Sequence, residues 1–175
     1  MGSGGTESTI VTKLSWATGA AMVCLLIATG VGKADVPTAA PVERATYVKQ
    51  LEAICAPGAE ATRRVVKGVR ANVQRGLLKR AARQFARAGQ IFGGTVKRIS
   101  IVPRPSAEKL TLTRWFIDLN LQESYLKKIA STLRTGEKIR AQGYEARFVH
   151  YGNVGNNVVL AFEFHSCRFD PTRFG

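Results

Sequence analysis

Apolar side chains return every three or four residues along most of this chain, a pattern that only α-helices bury on one side. Tyr47, Leu51 and Ile54 begin the stripe, and Val66, Val69 and Val73 continue it. Leu77, Ala81, Phe85, Ala88 and Phe92 repeat the spacing. Leu112, Trp115, Phe116, Leu119, Tyr125, Leu126, Ile129 and Leu133 mark the buried side of a further helix. Pro103-Arg104-Pro105 interrupts the pattern, because proline lacks the amide that a helix interior needs. Ser106, just beyond, stands where an N-cap would start the next helix, and Pro57-Gly58 predicts a kink in the first. The expected helices cover residues 44–74, 77–100, 106–134 and 137–164. Short connections make successive helices antiparallel neighbours, so the expected fold is all-α, an up-down four-helix bundle.

Two features refine this expectation. Gly76 and Gly136 read as helix ends, and aligning them matches Arg80 with Arg140, Ala81 with Ala141, Ala86 with Ala146 and Arg87 with Arg147. Such a sixty-residue offset suggests two related helical hairpins, with chance a fair rival in a chain rich in alanine and arginine. Val158 to Phe164 has strand propensity, but Phe148, Tyr151, Gly155, Val158 and Phe162 form one helical face and favour a continued helix.

The N-terminal region obeys different rules. After a polar tail, residues 1–13, comes an uncharged stretch over 14–32 flanked by Lys13 and Lys33. Residues 20–28 have the length of a signal-peptide core, and Gly32 and Ala34 suit cleavage before Asp35. The same stretch nearly suffices to cross a bilayer, so residues 14–34 read as a signal peptide or a retained anchor. Pro37 and Pro41 mark residues 35–43 as a linker, leaving 44–175 as the helical domain.

Tyr47-Val48 with Ile54-Cys55, the Val102-Pro103-Arg104-Pro105 turn, the Trp115-Phe116 helix, and Asn156-Asn157 leading to Phe162-Glu163-Phe164-His165-Ser166-Cys167 together resemble a known group. The group comprises small secreted or anchored helical proteins of soil actinobacteria and their relatives. The resemblance spans nearly the whole domain, its two cysteines being the most specific marks. It implies helix rather than strand before Cys167 and implies no activity.

Cys55 and Cys167 are the two cysteines beyond the export segment, which itself holds Cys24. An even pair outside the cytoplasm is most simply a disulfide, and the first and last helices of an up-down bundle bring such positions to one end. The sharper alternative is a metal site built from Cys55, His165, Cys167 and His150. Structural zinc sites show two tight ligand pairs, and only His165 and Cys167 are close in sequence.

The formal net charge is +14, which predicts affinity for polyanions. Most of it comes from one interval: between Glu60 and Glu108 there is no acidic residue. Arg63, Arg64, Lys67, Arg70, Arg75, Lys79, Arg80, Arg83 and Arg87 are expected to form a basic face on adjacent helices. Its expected partners are anionic lipids or wall polymers; the competing reading is a merely solvated surface. Nucleic acid is the weaker partner, because Phe85 and Phe92 lie on the core stripe and leave no aromatic platform for bases.

Catalysis and cofactor binding find no constellation. His150 and His165 are the two histidines, and no nucleophile elbow or phosphate-loop ending occurs. A non-enzymatic domain without cofactor or metal is therefore expected. One polar set invites a ligand: His150, Asn153 and Asn157 fall on one helical stripe that could face Asp118 as a small-ligand groove. The competing reading is a hydrogen-bonded network that fixes helix register.

Overall fold

Three glycines with positive φ set where the helical columns turn: Gly68 at 71°, Gly76 at 75° and Gly136 at 85°. The computed structural model describes residues 39–174, and no strand occurs among them. The helices are α1 (Ala39–Val66), α2 (Val69–Gln74), α3 (Leu78–Ser100), α4 (Lys109–Arg134) and α5 (Lys138–Val158). α1 and α2 form one broken column, so the expected all-α bundle of four columns is what the chain adopts. α3 lies between α1 and α4, and α4 packs most extensively on α3 and α5.

The two hairpin turns are copies of each other at the backbone level. The Gly76 amide donates to Val73 O and the Leu77 amide to Asn72 O, at 3.2 and 2.8 Å. Sixty residues later, Gly136 donates to Leu133 O and Glu137 to Thr132 O, at 3.2 and 3.0 Å. This pair of bonds is the Schellman closure, which requires the left-handed glycine that both turns possess. The Ala81 amide bonded to Leu77 O likewise has its counterpart in Ala141 bonded to Glu137 O. The internal repeat read from five sequence identities thus coincides with a repeated turn.

Several boundaries differ from the sequence expectation. α1 begins at Ala39, inside the stretch read as a linker, with Pro41 in the first turn where its missing amide costs no helical bond. The helix continues through Pro57, and the column breaks instead at Gly68. Gln84 holds that break: its Nε2 donates to Val65 O and Lys67 O, at 2.9 and 3.1 Å, and its Oε1 accepts from Asn72 Nδ2 at 2.8 Å. Ser106 makes no capping bond; residues 106–108 form a 3₁₀ turn ahead of α4, with Glu108 N donating to Pro105 O. α5 stops at Val158 rather than 164, followed by a 3₁₀ turn over Leu160–Phe162 and by Glu163 at φ 53°. The tail, the stretch read as a signal peptide or anchor with its Cys24, and the beginning of the expected linker lie outside the described residues.

The core has two neighbouring parts. Tyr47, Leu51, Ile99, Leu112 and Trp115 pack around the disulfide half of the bundle, and Val66, Phe85, Leu126, Ile129 and Leu133 fill the half beneath the glycine turns. Phe92 touches both. No helix among the described residues is long and apolar enough to cross a membrane.

Candidate functional site

The basic residues singled out in the sequence lie on the last turn of α1, in the break after it, on α2 and its following turn, and on the first half of α3. All nine are exposed: Arg63, Arg64, Lys67, Arg70, Arg75, Lys79, Arg80, Arg83 and Arg87. Glu60 engages two of them, accepting from Arg63 at 2.6 and 2.9 Å and from Arg64 at 3.2 Å. The Arg63 hydrogen bonds hold the Glu60 carboxyl below its usual range. Arg75 bonds Asn72 and Ala71 O, and Arg87 bonds Gln90. Lys67, Arg70, Lys79, Arg80 and Arg83 have no acidic partner among the described residues.

The two glycine turns meet at one end of the bundle, where Leu77, Lys79, Arg80, Arg83 and Arg134 line a shallow open recess. Arg75, Lys138 and Arg140 lie in or beside the same turns, and Glu137, paired to Arg140 at 2.7 Å, is the acid among them. Two apolar side chains project here without cover: Leu77 is 43% exposed and Ile139 79%. Sequence reasoning found the cations but not these apolar residues. Leu77 falls on the core stripe by spacing alone, because periodicity does not say where a helix starts.

The opposite edge of the bundle, between α1 and α5, is closed by the segment after α5. Cys55 and Cys167 form a disulfide with Cα atoms 5.1 Å apart. Beside it, one carboxylate collects the strap's backbone: Glu52 accepts from the amides of His165 (2.9 Å), Ser166 (2.9 and 3.0 Å) and Cys167 (3.3 Å). Burial pushes the Glu52 carboxyl up, but these N–H bonds outweigh it and set its pKa below the ordinary value. Further on, Asn156 imitates a backbone pair, donating to Phe169 O and accepting from Phe169 N, both at 2.8 Å. The Phe169 ring lies on Gly152, where any Cβ would collide with it. Glu52 carries no sequence signature, and Asn156 stands out in the sequence only as part of the Asn156-Asn157 pair, with nothing to mark it as a backbone clamp. A lone glutamate on a helix reads as surface, and Asn156 stands beside the asparagine that the stripe selected.

The proposed polar groove is spread out rather than gathered. His150, Asn153 and Asn157 are exposed on α5, while Asp118 is 8% exposed at the α4–α5 contact against Gly155. Burial raises the Asp118 pKa, and His150 is close enough to lower it partly. Asn153 and Asn157 line a surface depression with Asn156, Glu163, Phe164 and Arg168, without His150 or Asp118. Among the described residues no three His, Cys, Asp or Glu side chains come together as a metal site would require. The disulfide takes up both sulfurs that such a site would use.

No protein family, curated protein or solved structure was found to match the chain.

Proposed function

We propose that this is an exported, non-enzymatic helical domain that docks on anionic surfaces of the cell envelope through its basic turn end. One observation carries the reading. Nine exposed cations stand between Glu60 and Glu108 with no acidic residue in that interval, and Lys79, Arg80 and Arg83 among them line the turn-end recess with the uncovered Leu77. Cations alone draw a protein to a charged surface, whereas a cationic rim around apolar residues also suits the boundary between headgroups and acyl chains. Export is supported by the uncharged stretch over residues 14–32, and by a disulfide of the kind that persists in oxidising compartments.

The test is cosedimentation with anionic vesicles of the parent and of the Arg80→Glu, Arg83→Glu, Arg87→Glu triple variant. Near-surface cations contribute ~1 kcal/mol each, so losing three weakens binding by roughly two orders of magnitude. Helicity should persist, since the three side chains are exposed and glutamate is a comparable helix former. Equal pelleting of the two proteins would overturn the proposal.

A further inference from the structure

We propose that the strap after α5 is a redox-sensitive lid with two locks, the disulfide and Glu52, and that Glu52 controls whether a reductant reaches the disulfide. The device does not rest on docking at the turn end. Residues 166–170 and Phe174 roof a cavity of about 70 Å³ between α1, α3, α4 and α5. Phe92, Val96, Ile99, Leu119 and Phe148 make its walls apolar. Gln122, 1% exposed, lines it with an Oε1 that has no hydrogen-bond donor among the described residues. Shutting the lid keeps that acceptor from water, a cost that opening removes.

Access is what the two locks share. Cys55 is 4% exposed and Cys167 9%, and disulfide exchange proceeds only where a reductant reaches a sulfur. The Glu52 carboxylate holds the amides of His165, Ser166 and Cys167, so it fixes the very residue that carries the outer sulfur. Asn156 clamps Phe169 two residues further on. Local opening is therefore confined to the stretch between Glu163, with its left-handed backbone, and Phe169, and needs no helix to unpack. The charged groups around the carboxylate are Lys49, one turn before it on α1, and His165 and Arg168 on the strap; no salt bridge among the described residues involves it. The reductant is a dithiol. Its thiolate attacks Cys167 Sγ and Cys55 leaves as the thiolate. The second thiol then resolves the mixed disulfide, so the reductant ends as a disulfide and the protein gains two thiols.

The experiment times the reduction of the intact protein, with alkylation of Cys55 and Cys167 read by peptide mass and Cys24 counted separately. A water-soluble phosphine serves as the probe, because thiols lose their reactive thiolate in acid; it leaves as the phosphine oxide, taking its oxygen from water. At pH 7, Glu52→Gln should be reduced about tenfold faster than the parent. The folded Glu52 pKa lies below the ordinary value, so the lock is complete at pH 7 and is lost as pH falls through the folded value. The ratio of the two rates should therefore fall to about one over that range. His165 and Arg168 are present in both proteins, so the ratio isolates Glu52. Gly136→Ala, which strains the far turn, should leave the rate unchanged, because reduction passes through local opening rather than unfolding. A second measurement needs no variant. In the reduced parent, deuterium-exchange protection of residues 164–168 should persist at pH 7 and collapse on acidification, while α3 and α4 stay protected. Equal rates for parent and Glu52→Gln at pH 7, a ratio indifferent to pH, equal acceleration by Gly136→Ala, or protection lost on reduction alone would overturn the inference.

Discussion

Replacing both Cys55 and Cys167 by alanine should lower the melting temperature by about 7–14 °C without unfolding the domain at 25 °C. The bond closes a loop over a sequence separation of 112 residues, for which chain entropy allows at most about 5 kcal/mol and measured disulfides usually give 2–4. A domain of this length unfolds with an entropy near 0.3 kcal/mol/K, so 2–4 kcal/mol translates into that temperature range. The fold should survive because the strap has two further holds. Glu52 still collects the amides of residues 165–167, and Asn156 still brackets Phe169. Scanning calorimetry of the parent, the reduced parent and the double variant measures the effect, with thiol counting to verify oxidation. A fall of less than about 2 °C would refute the idea that the disulfide closes a costly loop. Loss of any cooperative transition would show that the strap is part of the core rather than its closure.

The remaining predictions each use one local feature. Gly76→Ala and Gly136→Ala should each cost about 1–2 kcal/mol in denaturant unfolding, and by similar amounts, because both turns impose the same left-handed backbone. Tyr47→Phe should be neutral or stabilising by about 1 kcal/mol, since the hydroxyl is buried without a partner; burial has already pushed its pKa to about 12, against the opposing pull of Arg104. Glu52→Gln should cost about 1–2 kcal/mol at pH 7. The Glu52 pKa is lowered in the folded state, so its contribution is complete above the ordinary glutamate range and fades as pH falls through the folded value. Urea melts of parent and variant should therefore converge as the pH is lowered through the folded value. Asp118 has the opposite sign: its raised pKa means that ionisation opposes folding as pH rises, so Asp118→Asn should raise the melting temperature at pH 7.

The bundle was legible because helical period, glycine placement and the Pro103-Arg104-Pro105 turn all act locally. Leu51, Val66, Leu112, Trp115 and Leu126, chosen by spacing, are almost fully buried. The matching glycine turns were legible for the same reason, because a Schellman closure needs a residue tolerant of positive φ. The break at Gly68 was not, because Gln84 secures it from a different helix. The strap was not either: its holds pair Glu52 with residues more than a hundred positions away, and no periodicity reports such a contact. Helix polarity likewise located the cations, but the cavity under the strap depends on how Phe174 returns to the bundle. That return follows from the disulfide and Asn156 together, not from the sequence near Phe174.

The proposed docking is electrostatic and belongs to the basic turn end. The most direct measurement is pelleting of the parent protein with phosphatidylglycerol or phosphatidylcholine vesicles, at low salt and at moderate salt. Screening shortens the reach of exposed charges to ~8 Å at physiological ionic strength. Electrostatic docking requires binding to the anionic vesicles at low salt, a steep loss as salt rises, little binding to the neutral ones, and no change for His150→Ala with Asn157→Ala. Equal binding to both lipids, or binding indifferent to salt, would contradict it.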